Sequence, residues 1–570
     1  MDMKSVITGL IRSAAASAFP QADTGSLIEP AMLEVPPDPQ FGDYAFPCFR
    51  LSKALRMAPP MIAKRLAEHI DAPETASARC EGGYLNFLLN RRNFARDVLA
   101  AVMAVPEAWG ASDEGKGKTV CIDYSSVNIA KRFHIGHLPS TVIGNSLKRI
   151  YDFLGYRTVG INHLGDWGTQ FGKMIAAFKH WGDESLIESG SVQALQDLYV
   201  RFHREAETNP ALEEEGRAWF KRIEDGDAEA LRIFEAFKDM TLKDVQRVYD
   251  ILGVQFDSYK GESFYNDKMD RVINELRGKG LLVESDGAWV VDLEEHGMPP
   301  CLILKRDGAT LYATRDIAAA LYRKDTYDFY RALYVVAYQQ DLHFRQVFKV
   351  LELMGYPWAA EALVHVSFGM VSFEGQAFST RAGNVLYLDD LLERAQEKAL
   401  DIINEKSPDL DDKAAIARQV GVGALVFSAL YNNRIKDVDF WWDRALNFDG
   451  ETGPYVQYTH ARCCSVLKKA EDIQSLPDYD ALTDDEAQAL LRLISRFPEA
   501  VADAAVRYEP SIVTRAVTDI AKAYNKYYYE HRILDGDNGI TAARLMLTRA
   551  VLHIIKTGLR LIGVEAPERM

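Results

Sequence analysis

The chain has 570 residues, of which 48% are hydrophobic and 26% are charged, and its formal net charge is −16. This composition is typical of a globular protein with about three or four domains. No apolar run approaches the roughly 18 residues that a membrane span needs, and the amino terminus shows no apolar signal segment, so we expect a cytoplasmic protein with no membrane partner. The six cysteines form no Cys-x-x-Cys pair, which fits a reducing compartment and argues against a structural metal site.

The negative charge argues at first against a nucleic-acid partner, because neutralisation of phosphates supplies much of the affinity for RNA. The net charge is a sum over the whole chain, however. A local Lys/Arg face can bind RNA while acidic helices elsewhere deter indiscriminate binding. Composition alone therefore does not suggest RNA.

Residues 1–112 are predicted to form a small, separate α/β domain. A strand is expected at residues 83–89, where Tyr84 and Asn86 alternate with apolar residues. We expect one apolar face and one face that offers an aromatic ring and an amide. An ordinary half-buried strand shows the same alternation, so the pattern alone assigns no function.

A strand, a polar turn and a helix follow. The apolar residues 120–122 predict the strand, and the spacing of apolar residues between Leu138 and Leu154 predicts the helix. A helix N-terminus offers free backbone N–H groups and the positive end of the helix dipole. Nucleotides bind at this place in open α/β sheets, beyond the carboxyl ends of the strands.

The turn carries side chains that suit phosphate. His134 and His137 add two imidazole donors, Lys131 adds a cation, and Gly136 leaves space for the close approach of a nucleotide. A pair of histidines around a glycine could also be core residues, surface residues or metal ligands. No carboxylate or cysteine lies at metal-ligand spacing, so the pattern favours phosphate over zinc, and we expect no bound metal of the protein's own.

The run Ser126-Val-Asn-Ile-Ala-Lys-Arg-Phe-His-Ile-Gly-His-Leu138 resembles the first signature of class I aminoacyl-tRNA synthetases, specifically of arginyl-tRNA synthetases. The resemblance extends over nearly the whole chain. It implies a multidomain α/β and all-α protein with a Rossmann-type parallel-sheet catalytic domain, a small N-terminal α/β domain and a C-terminal helical bundle. The expected domains are 1–112, 113–443 with a helical insertion at about 182–252, and 444–570.

A second glycine-rich turn, His163-Leu-Gly-Asp-Trp-Gly-Thr-Gln-Phe-Gly172, follows a strand predicted at residues 157–162. Glycines let the backbone approach a ligand closely. By its resemblance to the family, this turn lines the ATP pocket. The implied ATP-binding residues are Gly136, Gly165, Asp166 and Gly168. The charged, helical stretch after it, from about 182 to 252, is interpreted as a mainly structural insertion with solvated faces.

An acidic pocket is expected for the amino acid. A guanidinium is a planar cation with five donors, and its binding site must therefore offer acceptors and negative charge in a fixed geometry. Asp123 and Asp316 fit this requirement, Asp316 on a helix predicted to start near Thr314 after a hairpin that turns at Asp307-Gly308. By the resemblance, both carboxylates lie near the guanidinium, Tyr312 orders that end, and Asn128 and Gln340 hold the amino-acid head group.

A later loop, Gln376-Ala-Phe-Ser-Thr-Arg-Ala-Gly-Asn384, occupies the place of the second class I signature, Lys-Met-Ser-Lys-Ser, but lacks both lysines. It can also be interpreted simply as a polar loop. The resemblance implies that Ser379, Thr380 and Arg381 act on phosphates, with Lys131 as the replacement cation. How Lys131 and Arg381 share this work is left open.

The segment from about Arg444 to the end is predicted to be helical and rich in tyrosine beside cations, a composition that suits the stacking of unpaired bases. Core tyrosines are the alternative. The resemblance implies a carboxyl-terminal anticodon-binding domain and an amino-terminal domain that contacts the tRNA elbow. The implied tRNA-binding residues are Tyr84, Asn86, Tyr455, Tyr458, Arg462 and Tyr528.

The function implied is ATP-dependent ligation of L-arginine to tRNA(Arg) by a cytoplasmic monomer, with Mg²⁺ as the cofactor. The arginine carboxylate would attack the α-phosphorus of ATP, and the terminal ribose of the tRNA would then take the arginyl group through its 2′-hydroxyl. Phosphoryl transfer of this kind requires mainly positioning and charge stabilisation, so Lys131, His134 and His137 are predicted to act as donors. Two alternatives remain: another class I synthetase, or a non-catalytic tRNA-binding paralogue suggested by the missing loop lysines.

Overall fold

The structure is a computed structural model, which describes residues 3–306, 308–375, 386–470 and 475–570. Its α-helices are α1 Met3–Ala18, α2 Ser52–Leu55, α3 Pro59–Ala67, α4 Arg91–Ala104, α5 Leu138–Phe153, α6 Thr169–Trp181, α7 Glu184–Ser189, α8 Val192–Ala206, α9 Ala211–Glu224, α10 Ala228–Leu252, α11 Met269–Gly278, α12 Tyr312–Tyr327, α13 Asp341–Leu353, α14 Trp358–Ala362, α15 Leu388–Lys406, α16 Lys413–Tyr431, α17 Trp442–Ala445, α18 Gly453–Lys468, α19 Asp485–Val506, α20 Ser511–Glu530 and α21 Asn538–Leu561.

The strands are short. They are β1 Tyr44–Pro47, β2 Ala76–Glu81, β3 Tyr84–Leu89, β4 Thr119–Asp123, β5 Arg157–Ile161, β6 Leu282–Ser285, β7 Ala288–Val291, β8 Cys301–Leu304, β9 Arg331–Tyr334, β10 Leu363–His365, β11 Val371–Phe373 and β12 Val438–Phe440. The chain forms two compact units, the first made of 1–109, 462–498 and 519–555 and the second of 110–461, 499–518 and 556–570.

The first unit contains an antiparallel sheet in the order β1-β3-β2, as expected for a small α/β domain. This sheet shares its unit with parts of α19 to α21. Arg492 Nε lies 2.7 Å from Asp43 Oδ1, and the indole of Trp109 donates to the carbonyl of Ile494 at 3.0 Å. The N-terminal residues are therefore anchored to helices from the far end of the chain, which their sequence pattern does not predict.

The second unit is built on a parallel sheet in the order β10-β9-β4-β5, which confirms the predicted Rossmann-type architecture. From β4 the chain first adds β5 on one side and later adds β9 on the other. The connections that leave β4 and β9 therefore diverge and open a crevice at the carboxyl ends of these strands, where such folds bind ligands. The polar turn with His134 follows β4.

β4 is a central strand, and its sequence shows why. Val120, Cys121 and Ile122 are at most 1% exposed, since helices cover both faces of the sheet. Helix α5 lies so close to the end of β4 that a Cβ on Gly144 would overlap the buried ring of Tyr124. The hydroxyl of Tyr124 donates to the carbonyl of Gln255 at 3.1 Å, so the ring has no room to move away.

Of two local predictions, one is corrected and one is confirmed. The helix expected to start near Thr314 is α12, which starts at Tyr312, and Thr314 is not its cap. The Thr314 hydroxyl instead donates to the carbonyl of Ile303 at 2.6 Å and joins the helix to β8. The hairpin predicted before this helix is confirmed as a short one: Leu304 and Thr310 form an antiparallel bridge, Lys305 donates to the carbonyl of Ala309 at 2.8 Å, and Leu311 donates to that of Ile303 at 3.2 Å. Asp307 lies outside the described residues.

Among the described helices, α16 is long and apolar enough to cross a membrane. It packs closely against α15, since a Cβ on Gly421 would lie 2.6 Å from the backbone of Ala395. Of its apolar stretch, 61% is buried inside the protein. This burial is that of a core helix.

The fit of α5 against β4 predicts that Gly144→Ala destabilises the second unit. Alanine favours a helix, but overpacking against a fixed ring typically costs about 1–3 kcal/mol, so the steric term should dominate. We expect a lower midpoint in urea denaturation. Gly278→Ala is the matched control, because a Cβ on Gly278 meets no atom within 4 Å. Equal midpoints for the two variants would contradict the close packing of α5 on Tyr124.

Candidate active site

The turn after β4 has an unusual backbone. Three residues other than glycine, Ser125, Ser126 and Ala130, adopt left-handed φ angles of +69°, +49° and +62°. Such conformations cost about 1–3 kcal/mol each and persist where surrounding contacts enforce them, often at functional sites. The strain lies directly before the histidine pair.

His134 and His137 form the start of the helix. The Nδ1 of His134 accepts the backbone N–H of Gly136 at 3.1 Å, so a neutral His134 carries its proton on Nε2. The ring of His137 stacks on Phe133 with centroids 5.0 Å apart, and the two histidine rings are 4.0 Å apart. Burial, with the adjacent Lys131, lowers the pKa of His134. Burial, with the field of His134, lowers the pKa of His137 to about 3. Both rings are therefore neutral near pH 7.

The glycine-rich turn joins the first turn through its backbone. Gly165 donates its N–H to the carbonyl of Val127 at 2.9 Å and accepts the N–H of Ile129 at 3.2 Å. A Cβ on Gly165 would overlap the side chain of Asn128, which explains the glycine. The structure thus brings the two predicted turns together at one edge of the sheet. Gly168 precedes α6 with a φ of +141°, a conformation that glycine adopts readily.

The ammonium of Lys131 is exposed and makes no ion pair with any residue that the structure describes. Gly136 is exposed too, and a Cβ there would lie 2.9 Å from the His134 ring. Glycine at this position therefore keeps the imidazole unobstructed. Together these residues present a cation and neutral N–H donors, an arrangement that suits the oxygens of a polyphosphate.

Asp166 was expected to contact ATP, but its carboxylate lies inside the protein. It is fully buried, and its carboxylate accepts the N–H and the hydroxyl of Ser263 at 2.8 and 2.7 Å and pairs with Lys238 at 2.9 Å. All of these partners are internal. Asp166 therefore holds the glycine-rich turn in place and offers no exposed atom for a direct contact with ATP.

Asp123 also has an internal partner. Its Oδ2 lies 2.7 Å from Nη2 of Arg323, and its Oδ1 accepts the hydroxyl of Ser126 at 2.9 Å. Burial alone would lower the pKa of Arg323, but the field of Asp123 raises it well above its usual value. A guanidinium of the chain itself thus lies on Oδ2 of Asp123, and a direct contact of Asp123 with the guanidinium of a ligand stays a prediction.

Asp316 and Glu262 form the acidic part of the crevice. Oδ2 of Asp316 lies 2.6 Å from Nε2 of His343. Burial alone would raise the pKa of Asp316, but the hydrogen bond from His343 and its field lower it overall. Burial raises the pKa of Glu262 to about 7, with further repulsion from Asp316, although Arg315 lies 3.8 Å away. Among the described residues Glu262 thus lacks a close cationic partner, and together with the ionised Asp316 it makes this part of the site attractive to a cation.

Three further residues predicted to bind arginine are exposed to solvent. Each is close along the chain to a group of the site. Tyr312 is 64% exposed and lies one helical turn before Asp316 on α12. Gln340 is exposed immediately before α13, the helix that carries His343, and Asn128 is exposed in the first turn. Their places allow contact with a ligand in the crevice, and their roles stay predictions.

The loop with Ser379, Thr380 and Arg381 lies outside the described residues. The chain that follows it is bound to the first turn, because Ile135 donates to the carbonyl of Leu386 at 3.0 Å and Leu388 donates to the carbonyl of Phe133 at 2.9 Å. Leu386, the first described residue after the loop, therefore lies against the turn that carries His134.

On the N-terminal sheet, Tyr84 is 38% exposed and meets Phe49 edge to face, whereas Asn86 is only 3% exposed. The prediction that Asn86 presents its amide to a ligand is corrected. β3 is the central strand, and Arg79, directly opposite Asn86, extends to the carbonyl of Gln40 on that face.

The C-terminal tyrosines divide into two groups. Tyr524 and Tyr527 are fully buried core residues, while Tyr528 is 39% exposed. On α18, Tyr458 is 39% exposed and Tyr455 is half-buried. The guanidinium of Arg462 lies 5.1 Å from the ring centroid of Tyr528, a cation–π contact that orders this exposed ring.

The site contains three functional candidates to which the sequence assigned no individual role: Glu262, Arg323 and His343. Arg323 follows Asp316 by seven residues, which places both on one face of α12, and this spacing was a usable signal. Glu262 and His343 carried no such signal, because their partners lie far away in the sequence.

Comparisons with known proteins agree with this geometry. Residues 101–442 match the family described as tRNA synthetases class I (R), catalytic domain, residues 456–570 match the DALR anticodon binding domain, and residues 5–89 match the arginyl tRNA synthetase N terminal domain. Relatives from Alkaliphilus metalliredigens and Clostridioides difficile, both named arginine–tRNA ligase, are 53% identical over 95% of this chain and 95% and 96% of their own lengths.

Solved structures are similar over the full length. The arginyl-tRNA synthetase of Thermus thermophilus is 28% identical with a TM-score of 0.83, and the match covers 100% of both chains. The arginyl-tRNA synthetase of Plasmodium falciparum has a TM-score of 0.78 over 100% of this chain and 99% of its own, and at 22% identity it shows the fold alone.

The burial of His137 predicts how stability depends on pH. An unfolded His137 binds a proton below its usual pKa of 6.5, while the folded ring stays neutral down to about pH 3. Stability should therefore be lost as the pH falls through this window. His137→Asn keeps an acceptor but cannot titrate, so between pH 7 and 4.5 we expect it to lose about 1–2 kcal/mol less than the wild type. Parallel losses in urea denaturation at the two pH values would contradict this account.

Proposed function

The chain belongs to the arginyl-tRNA synthetases, class I enzymes that use ATP to join arginine to its tRNA, and from that premise we propose how its own residues divide the reaction. One observation carries the proposal: the glycine-rich turn is bonded to the turn of donors through Gly165 and to the acidic residue Glu262, whose N–H donates to the carbonyl of Leu164 at 2.9 Å. Donors and carboxylates therefore adjoin one site. Neither sequence alternative, another class I synthetase or a non-catalytic paralogue, is favoured by relatives that are named as arginine ligases.

The turn after β4 binds the phosphates. Lys131 supplies an exposed cation, and His134 and His137 donate from neutral rings, because burial lowers the pKa of both. Ser379, Thr380 and Arg381 are proposed to complete this set from the second loop. Donors fixed in advance stabilise charge that develops on phosphate oxygens without reorganisation at the moment of reaction.

The nucleotide lies over the glycines. Gly136, Gly165 and Gly168 have no side chains to hinder its approach, and Asp166 acts on it indirectly by holding the second turn. ATP enters as its Mg²⁺ complex, in which the ion neutralises phosphate charge. The donors on the turn are N–H groups and an ammonium, which suit phosphate oxygens and do not compete for the ion.

Arginine binds with its guanidinium between Asp316 and Glu262. Because His343 holds Oδ2 of Asp316, the other oxygen is proposed to accept from the ligand. Asp123 supports the pocket through its pair with Arg323. Tyr312 is proposed to close over the side chain, and Asn128 and Gln340 to hold the head group, since all three are exposed at the crevice.

The reaction then follows in two steps. A carboxylate oxygen of arginine forms a bond to the α-phosphorus of ATP as the bond to pyrophosphate breaks. The 2′-hydroxyl of the tRNA terminal ribose next attacks the carbonyl carbon of the adenylate, loses its proton and displaces AMP. No nucleophile of the protein takes part, so positioning and charge stabilisation supply the acceleration.

The tRNA is proposed to contact the outer domains. Tyr84, beside Phe49, offers an exposed ring on the N-terminal domain, 1–112, while the buried Asn86 supports the strand. In the helical domain, 444–570, the residues proposed to bind tRNA are Tyr455, Tyr458, Arg462 and Tyr528. The catalytic domain is 113–443. We propose that the enzyme works as a monomer in the cytoplasm.

Loss of Lys131 or His134 should separate catalysis from tRNA binding. Lys131→Ala or His134→Gln should lower arginine-dependent ATP–pyrophosphate exchange, measured with tRNA present, by about 10²-fold or more, because one transition-state donor is lost. The dissociation constant for tRNA, measured by filter binding, should stay unchanged. Lys148→Ala is the control: its ammonium lies on α5 and pairs with Asp152 at 3.5 Å. Equal losses of exchange and tRNA binding would indicate misfolding and defeat the assignment.

Glu262 should make arginine binding depend on pH. Its pKa of about 7 in the empty pocket must fall when a guanidinium binds, so binding below pH 7 releases a proton. The KM for arginine should therefore rise by up to about tenfold per unit as the pH falls below 7. It should be constant above pH 8.

Glu262→Gln should raise the arginine KM about tenfold or more at pH 8, because a charge-assisted bond is lost, and should remove its dependence on pH. The exposed Glu284→Gln is the matched control. A steep pH dependence that survives in Glu262→Gln would assign the titration to another group.

Charging of lysine or citrulline by the wild-type enzyme at rates close to that of arginine would exclude the proposed pocket as the source of specificity.

A further inference from the structure

Helix α10, the last helix of the insertion, contacts the turn after β4 through buried hydroxyls. The Thr241 hydroxyl accepts the backbone N–H of Ala130 at 2.9 Å and donates to the carbonyl of Phe237 at 2.8 Å. The Tyr249 hydroxyl lies 2.8 Å from the hydroxyl of Ser125. Thr241 and Tyr249 are fully buried, and Ser125 and Ala130 are 4% and 2% exposed. These bonds are shielded from water and are therefore costly to lose.

The two contacts are made at the strained positions. Ala130 and Ser125 are two of the three left-handed residues in this turn, and hydroxyls of α10 bind the backbone N–H of Ala130 and the side-chain hydroxyl of Ser125. Ser125 is also bound by α5, through the hydroxyls of Ser140 and Thr141. A left-handed residue other than glycine returns to ordinary backbone angles unless its surroundings prevent this. α10 is thus placed to maintain the turn in its observed shape.

The same helix face also holds the second turn. Lys238 pairs with the buried Asp166 at 2.9 Å, and the Tyr249 hydroxyl also accepts the side-chain N–H of Asn162, at the end of β5, at 2.9 Å. Lys238, Thr241 and Tyr249 follow at intervals of three and eight residues, which places them along one side of a helix. One rigid element therefore sets the spacing between the two turns.

We propose that Thr241 and Tyr249 are positioning residues for arginine activation, and that the insertion helix α10 holds the strained turn so that Lys131 and His134 meet the phosphates in register. The inference rests on the proposed assignment of that turn to ATP. Ala130 directly precedes Lys131, so a change in its backbone angles displaces the ammonium and the following imidazoles together. Misplacement by about 1 Å can cost up to 10²-fold in rate.

The test uses the full-length enzyme and ATP–pyrophosphate exchange with tRNA present. Thr241→Val keeps the shape of the side chain but removes the acceptor of the Ala130 N–H, and kcat should fall about tenfold or more while the arginine KM stays unchanged. Thr241→Ser restores the hydroxyl and should restore most of kcat. Tyr249→Phe keeps the ring contacts with Phe133 and Phe256 and should lower kcat in the same way.

Thr518→Val is the matched control, because Thr518 is a buried helical threonine with the same bond to the carbonyl four residues earlier, Thr514, and lies on α20. It separates a general loss of stability from a loss of positioning. The proposal is overturned if Thr241→Val retains the exchange rate of Thr518→Val, or if Thr241→Ser is as slow as Thr241→Val. If Lys131 and His134 variants slow exchange but Thr241→Val does not, this inference alone fails; if none does, the proposed phosphate site fails.

Discussion

The ion pair between Asp123 and Arg323 is the interaction on which the site depends. A carboxylate that is removed from water at the end of a central strand requires a partner, since leaving a buried charge unpaired costs several kcal/mol. Arg323 meets this need at 2.7 Å and thereby attaches α12 to the end of β4. Because Asp316 lies two helical turns before Arg323, the same contact sets where Asp316 stands in the crevice. The pair thus links the fold of the sheet to the position of the acid proposed to bind the ligand.

The crevice contains charges of both signs without cancelling them. On one side are an ammonium and two imidazoles that burial keeps neutral, and on the other are Asp316 and Glu262. A polyphosphate and a guanidinium have opposite requirements, and a site that binds both must separate its donors from its acceptors. The net charge of −16 is a sum over the whole chain and does not reveal how donors and acceptors are arranged in the site.

The helical insertion supports the strained turn after β4 in addition to presenting solvated faces. Its outer faces are charged, as its composition predicts, but α10 contributes buried hydroxyls and one ammonium to the two turns of the site. A turn with three left-handed residues stores free energy that neighbouring contacts must offset. The insertion interrupts the nucleotide fold in the sequence and supports it in space.

The sequence by itself determined the elements and the residues whose signals are local. The strand, turn and helix around His134, the glycine-rich turn and the placement of Asp316 near a helix start follow from patterns a few residues long, and the resemblance to a family rested on the same runs. The sequence did not predict contacts with distant partners: Arg323 pairs with Asp123, Ser263 and Lys238 bind the carboxylate of Asp166, and the centre of a sheet buries Asn86. Only the tertiary structure brought Glu262 and His343 to Asp316 and Thr241 to Ala130. Burial and pairing arise between residues tens to hundreds of positions apart, and periodicity along the chain carries no information about which of them will meet.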